Sequence, residues 1–167
     1  MSDEFPNDFK DYNIIIKPHY LSLSRNKYKG QIIKFDKWKC YKNCQVFGVD
    51  EYNLVPFLAI SDVMISDESS AIFEFTALNK PVILNRFLKL RWSYYLNPRK
   101  FLKRMDSGID SYRQIGDNAK DYKEMVTFVH QNLDNMNKLE KIRKKFTQDL
   151  CGIVDGNSSK RIIDELY

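Results

Sequence analysis

Two short stretches carry residue types suited to handling phosphate. The first is Ser61-Asp62-Val63-Met64-Ile65-Ser66-Asp67-Glu68-Ser69-Ser70-Ala71-Ile72-Phe73-Glu74. Its apolar run reads as a buried strand ending at Ser66-Asp67, and its serine pair as the start of a helix. Such a turn sets backbone N–H groups and two hydroxyls at the carboxyl edge of a parallel sheet, where open α/β sheets bind ligands. Unpaired N–H groups and the dipole of a helix N-terminus attract anions. Ser69 and Ser70 are therefore candidate phosphate contacts. Glu74 lies a turn deeper, where a carboxylate can accept hydrogen bonds from ribose hydroxyls. The same residues also fit a plain helix start, with Asp67 or Ser69 as N-cap and Glu74 as a polar helix residue; spacing alone leaves both readings open. The second stretch is Lys17-Pro18-His19, at the end of the first apolar run, Tyr12–Lys17, and so at the same kind of strand end. A lysine beside a histidine can hold a diphosphate, and the imidazole can protonate a leaving phosphate. His130, on an apolar helical stripe, reads as structural.

Other chemistries have less support. No glycine-rich loop of the Walker or dinucleotide type is present. Cys40 and Cys44 are four apart, but no second Cys or His pair stands nearby and Cys151 is remote. A metal site is therefore not expected. No Ser-His-Asp constellation is visible.

These residues need elements to position them. Tyr12–Lys17, Val46–Val49, Val63–Ser66 and Pro81–Leu84 read as short buried strands, rich in β-branched residues and apolar without alternation. That pattern fits a parallel sheet covered on both faces. Asn53–Ser61 and Ser69–Leu78 read as helices between them, the second stopped by Asn79-Lys80-Pro81. Strand, helix, strand, helix, strand is a βαβαβ pattern, so the expected class is α/β: a Rossmann-like open parallel sheet with flanking helices. Leu21–Asn43 has no clean period and is expected to hold a loop and a helix. Tyr122, Met125, Val126, Phe128, Val129 and Leu133 mark a helix at i, i+3, i+4 spacing. A further helix is expected over about Met136–Leu150, with Leu139, Ile142 and Phe146 inward and Lys138, Lys141, Arg143, Lys144 and Lys145 on a basic outer face. Asp155-Gly156-Asn157 reads as a turn, with Ser158 or Ser159 capping a last helix, Lys160–Leu166.

Composition bounds the rest. The chain has 167 residues, 43% apolar and 14% aromatic, with 6 Gly and 5 Pro, which excludes a disordered polymer and suits one domain with a real core. The longest uncharged stretch, Tyr52–Ser61, is about half of the ~20 residues a bilayer needs. The acidic opening Met1-Ser2-Asp3-Glu4 predicts no secretory leader. Three cysteines suggest free thiols in a reducing cytosol. The net charge of +5 is uneven: residues 86–105 carry seven basic and no acidic side chains, interleaved with Phe87, Trp92, Tyr94, Tyr95 and Phe101. That mixture suits an anionic partner (a phosphate polymer, a nucleic acid or a membrane surface) or a solvated basic loop. It matches no nucleic-acid-binding motif, so nucleic acid is not an expected partner.

Leu58–Phe75, followed by Leu78-Asn79-Lys80-Pro81-Val82-Ile83, resembles the CDP-glycerol glycerophosphotransferase family, whose enzymes build teichoic-acid-type polymers. Lys17-Pro18-His19 is similar to the family's basic-x-His-Pro motif. Asp155-Gly156-Asn157-Ser158-Ser159-Lys160-Arg161 is similar to its closing Asp-Gly-x-Ala/Ser-x-Arg motif. Tyr20 stands where a proline is expected, and Glu68 where an aromatic is common. The resemblance implies one lobe of a GT-B fold, residues 1–167 forming a single C-terminal nucleotide-binding lobe, with the N-terminal lobe and its histidine base absent. It implies that His19, Ser69 and Ser70 contact the diphosphate of a CDP-alcohol, with His19 catalytic. Lys17 would add to the phosphate site, Asp67 would shape the loop, and Glu74 would serve the ribose. No metal or other cofactor is implied. The expected partners are a CDP-glycerol or CDP-ribitol donor and an anionic polymer acceptor. The expected location is cytoplasmic, peripheral at the inner face of the membrane, with 86–105 facing the polymer or bilayer. Alone, such a lobe should bind better than it catalyses. A GT-B glycosyltransferase lobe using another nucleotide-linked sugar, or a non-catalytic nucleotide-binding module, would serve the same residues.

Overall fold

The computed structural model describes residues 5–19, 29–48, 50–51, 53–67, 69–87 and 112–166, with the side chains of 29–31 excepted. The chain forms two compact units, Met1–Ser61 and Asp62–Tyr167. Both are built on parallel strands in open sheets flanked by helices, the α/β class expected from the sequence.

In the first unit β1 (Ile14–Ile16) pairs in parallel with β2 (Cys44–Val46), with Ile14 opposite Cys44 and Ile16 opposite Val46. Between them runs α1 (Lys29–Trp38), and α2 (Val55–Ile60) follows. A 3-10 turn at Phe5–Phe9 buries Phe5 and Phe9. The Phe5 ring lies 5.2 Å from Phe9 and 5.4 Å from buried Trp38. One side chain fastens this turn to the strands: Nδ2 of Asn43 donates to the carbonyls of Pro6, Phe9 and Tyr12 at 2.9–3.2 Å. Asn53 Oδ1 accepts from the Val55 amide, and Pro56 occupies the first turn of α2, where its missing N–H costs nothing.

In the second unit β3 (Met64–Ser66), β4 (Val82–Asn85) and β5 (Asp117–Ala119) lie in that order, all parallel. Val82, Ile83 and Leu84 of the central strand are almost fully buried, which explains the unbroken apolar run of Pro81–Leu84. α3 (Ala71–Ala77) connects β3 to β4, and α4 (Tyr122–Asp134) packs on β4 and β5. α5 (Glu140–Cys151) packs along α3. α6 (Ser158–Leu166) follows, with Ile162, Ile163 and Leu166 exposed. Asp121 caps α4 by accepting from the Glu124 amide at 2.8 Å, while the Glu124 carboxylate reaches back to the Lys120 amide.

Several expectations are corrected. The second strand is Cys44–Val46, not Val46–Val49; beyond it only the Phe47 amide continues the pairing, to Ile16. Within the first unit β1 pairs with β2, and within the second β3 pairs with β4 and β4 with β5. Strand β5 was not anticipated because Asp-Asn-Ala has no β-branched residue. Its polarity is used locally: Asp117 accepts from Asn132 and Lys138, and Asn118 donates to the carbonyls of Arg113 and Gly116. α5 starts at Glu140 rather than Met136, because Asn135–Leu139 form turns. Its inward face is also different: Ile142 is 40% exposed, whereas Arg143, expected on the basic face, is 1% exposed. α6 begins at Ser158, with the Asn157 carbonyl accepting its first helical bond, so neither serine occupies the cap position. Of the basic-aromatic segment 86–105, residues 88–105 lie outside the described residues. Among the described residues no helix is long and apolar enough to cross a membrane.

Candidate functional site

Parallel register fixes what shares the carboxyl edge of the second sheet. Ser66 is opposite Leu84, and Leu84 is opposite Asn118, so Asp67, Asn85-Arg86 and Ala119-Lys120 all leave the sheet at that edge. Between Asp67 and α3 the chain turns tightly: the Ser69 amide donates to the Asp67 carbonyl at 2.9 Å. The Asp67 side chain is exposed. The Ile72 and Phe73 amides are already bonded, to the carbonyls of Ser69 and Ser70 at 3.1 and 3.0 Å. Ser69 Oγ accepts a long bond of 3.4 Å from the Ala71 amide. Ser70 is exposed and its hydroxyl makes no capping bond. A helix of only seven residues adds a modest dipole. Glu74 is exposed on the fourth residue of α3. Asn85, which sequence reading passed over, ends the central strand with its Oδ1 buried and without a partner among the described residues. The signal was a lone polar residue closing an apolar strand.

In the first unit Lys17, Pro18 and His19 follow β1 at the carboxyl end of that strand pair. The Lys17 ammonium donates to the Gly48 carbonyl at 3.0 Å, joining the two strand ends. Pro18 is buried and His19 exposed. Asp67, Ser69 and Ser70 thus share one turn of the second unit, with Glu74 on the helix that follows, while Lys17 and His19 share one strand end of the first.

Behind the serines, α3 ends at Asn79, whose φ of 57° lies in the left-handed region that Asn tolerates. Its amide donates to the Thr76 carbonyl at 2.8 Å. Its Oδ1 accepts from Arg143 Nε at 3.3 Å, and its Nδ2 donates to Glu140 at 3.2 Å. Arg143 also donates through Nη2 to the Met136 carbonyl at 2.7 Å. Burial pushes the guanidinium below its ordinary value, with Glu140 pulling the other way. Glu140 is itself held low by its bond to Lys144. Thr147 Oγ1 donates to the Thr76 carbonyl, and Phe146 stacks on Phe73 at 5.9 Å.

The closing motif is bonded within itself. Arg161 grips both oxygens of Asp155 at 2.8 and 3.0 Å and also donates to the Ile153 carbonyl and Ser158 Oγ. The Asn157 amide donates to the same carboxylate, and Gly156 supplies a φ of 76°. These contacts hold the Asp155 carboxyl down at about 2. Cys40, Cys44 and Cys151 are free thiols, and burial pushes that of Cys44 up. Among the described residues no three His, Cys, Asp or Glu side chains cluster as a metal ion would need.

The family profile described as CDP-glycerol:poly(glycerophosphate) glycerophosphotransferase matches residues 6–167. The chain is 25% identical over 168 residues to a teichoic acid glycerol-phosphate transferase of Staphylococcus aureus, covering 94% of this chain and 36% of that protein. It is 29% identical over 110 residues to a teichoic acid poly(ribitol-phosphate) polymerase of Bacillus spizizenii, covering 65% of this chain and 16% of that protein. The chain therefore spans about a third or less of the curated relatives it matches. No solved structure matches significantly.

Proposed function

The chain belongs to the CDP-glycerol:poly(glycerophosphate) glycerophosphotransferase family, and from that premise we propose that it is the C-terminal, nucleotide-binding lobe of a transferase that moves polyol phosphate from a CDP-alcohol to a teichoic-acid-type polymer. In that reaction an acceptor hydroxyl attacks the β-phosphorus of the donor. A new phosphorus–oxygen bond forms, the pyrophosphate linkage breaks, and CMP leaves with the bonding electrons. The hydroxyl proton goes to a base. Charge grows on the departing phosphate, and groups that meet it there lower the barrier.

Ser69 and Ser70 are assigned to the diphosphate, His19 to the leaving phosphate as proton donor, and Lys17 to the phosphate charge. Asp67 holds the turn and Glu74 accepts from the ribose. One observation carries the assignment: the family match runs through the turn from β3 to α3, where an exposed serine hydroxyl stands at the carboxyl edge of a parallel sheet. The base is assigned to a lobe outside this sequence, and the acceptor polymer to segment 86–105, at the inner membrane surface.

Calorimetry with CDP-glycerol, CDP-ribitol, UDP-glucose and GDP-mannose tests the donor class. Tightest binding of a CDP-alcohol is expected; tighter binding of a uridine or guanosine donor would transfer the site to a glycosyltransferase. Changing Ser69 and Ser70 together to Ala should weaken CDP-glycerol binding by roughly 1–3 kcal/mol, the scale of lost charge-assisted hydrogen bonds. Unchanged affinity would remove the serines from the site.

A further inference from the structure

We infer that Asn79 and Arg143 are positioning residues for the serine pair: their contact at the carboxyl end of α3 sets where Ser69 and Ser70 stand at its amino end. The inference rests on the proposed diphosphate site and adds the device that holds it in place. α3 has seven residues, about 10 Å of helix, too short to be stable on its own hydrogen bonds. Ala71, Ile72, Phe75 and Thr76 bury one face of it, which sets its rotation broadly, but the hydrophobic effect itself is non-directional and fixes the axial position of so short a helix less sharply than hydrogen bonds do.

The directional contacts sit at the far end. The Asn79 carboxamide oxygen accepts from Arg143 and its NH2 donates to Glu140, while Thr147 donates to the Thr76 carbonyl. Glu140, Arg143 and Thr147 follow at i, i+3 and i+7 along α5, one continuous face of that helix. The near end moves with the far end, because the Ile72 and Phe73 amides tie the serine carbonyls into the first turn.

Arg143 is an expensive residue to bury for packing alone. It is 1% exposed, forms no ion pair among the described residues, and its Nη1 has no partner there. Its fork reaches two oxygens in different directions, Asn79 Oδ1 through Nε and the Met136 carbonyl through Nη2. A lysine, with one nitrogen on a flexible stem, cannot span both in that geometry.

The test uses the full chain and two mild variants. Asn79→Gly keeps the positive φ and removes the carboxamide; Arg143→Met keeps the bulk and removes the fork. Amide exchange is read at Ile72 and Phe73, with Ile83 and Leu84 of β4 as the reference. Exchange at Ile72 and Phe73 is expected to rise at least tenfold in either variant while the reference stays unchanged. The double variant should go no further than the single ones, since the same contact is lost once. Arg143→Lys should behave like Arg143→Met. Affinity for CDP-glycerol should fall three- to tenfold in step, and Asn79→Gly should add nothing once Ser69 and Ser70 are both Ala. Unchanged exchange at Ile72 and Phe73 overturns the inference. A rise shared equally by Ile83 and Leu84 also overturns it, as does a rise with no loss of affinity in a chain that binds. If the parent chain does not bind CDP-glycerol, the functional reading falls and the exchange comparison still decides the latch.

Discussion

Nε of Arg143 donates to Oδ1 of Asn79 across 3.3 Å, joining the buried face of α5 to the residue that ends α3. The helix C-terminus favours a cation there, and the two hydrogen bonds of the guanidinium offset part of its desolvation. Removing the side chain outright leaves Asn79 Oδ1 and the Met136 carbonyl without their donor, beside a void. Arg143→Ala is therefore expected to lower the unfolding free energy by about 2–4 kcal/mol, read as a lower urea midpoint with an unchanged slope. Lys141→Ala, exposed on the same helix, should stay within about 0.5 kcal/mol.

Gly116 stands just before β5, with the backbone of β4 close against it. A β-carbon built there would run into the carbonyl oxygen of Val82, at the start of the central strand. Its backbone is extended, so the constraint is space rather than conformation. Since a strand carbonyl cannot swing away as a side chain can, Gly116→Ala should cost about 2–4 kcal/mol by thermal or urea unfolding. Gly48, with nothing within 4 Å of its built β-carbon, is the control and should tolerate Ala.

The Asp155 carboxyl is held at about 2 against an ordinary 3.8, first by Arg161 and then by the Asn157 amide. A depressed carboxylate contributes its stabilisation in full above the ordinary value and loses it as pH falls through the folded one. The turn leading into α6 should therefore stay closed at pH 3 and open only near pH 2. Carbon-detected NMR of the Asp155 carboxyl checks this: the midpoint should lie near 2 in the parent chain and move up toward 3.8 in Arg161→Gln.

Asn43 holds three carbonyls with one amide group. Asn43→Ala should loosen the Phe5–Phe9 turn and cost about 1–3 kcal/mol. Asn43→Asp should cost at least as much, because a carboxylate would face three carbonyl oxygens with no donor. Faster exchange of the Tyr12 and Ile14 amides, which bond to Phe9 and Asn43, would localise the loss.

How much of this was legible in the sequence follows from what each residue had to do alone. β1, β3 and β4 announced themselves because buried parallel strands need unbroken apolar runs, and α4 because its stripe keeps helical spacing. The turn at Asp67–Ser70 was legible for the same reason: a strand signal ends where a helix signal begins. What stayed hidden depended on partners distant in sequence. Arg143 looks like one more base on a basic helix until Asn79, 64 residues away, is brought beside it. Asp117 and Asn118 look like a loop until Asn132, Lys138 and the carbonyls of Arg113 and Gly116 satisfy them. The turn at Asp155-Gly156-Asn157 was legible, but the grip of Arg161 on Asp155 that closes it was not.

The proposed roles of His19 and of the serine pair are each tested within their own unit. CDP-glycerol affinity should fall in His19→Ala, and again in Ser69→Ala with Ser70→Ala, each by roughly 1–3 kcal/mol, the scale of lost charge-assisted hydrogen bonds. Isothermal titration of each variant checks this, and an unchanged affinity removes that group from the site. CMP, which keeps only the phosphate that leaves, sorts the contacts. A loss that persists with CMP places the group on the leaving phosphate. A loss seen only with CDP-glycerol places it on the phosphate that is transferred, and His19 would then stabilise the reacting phosphorus instead of the leaving group.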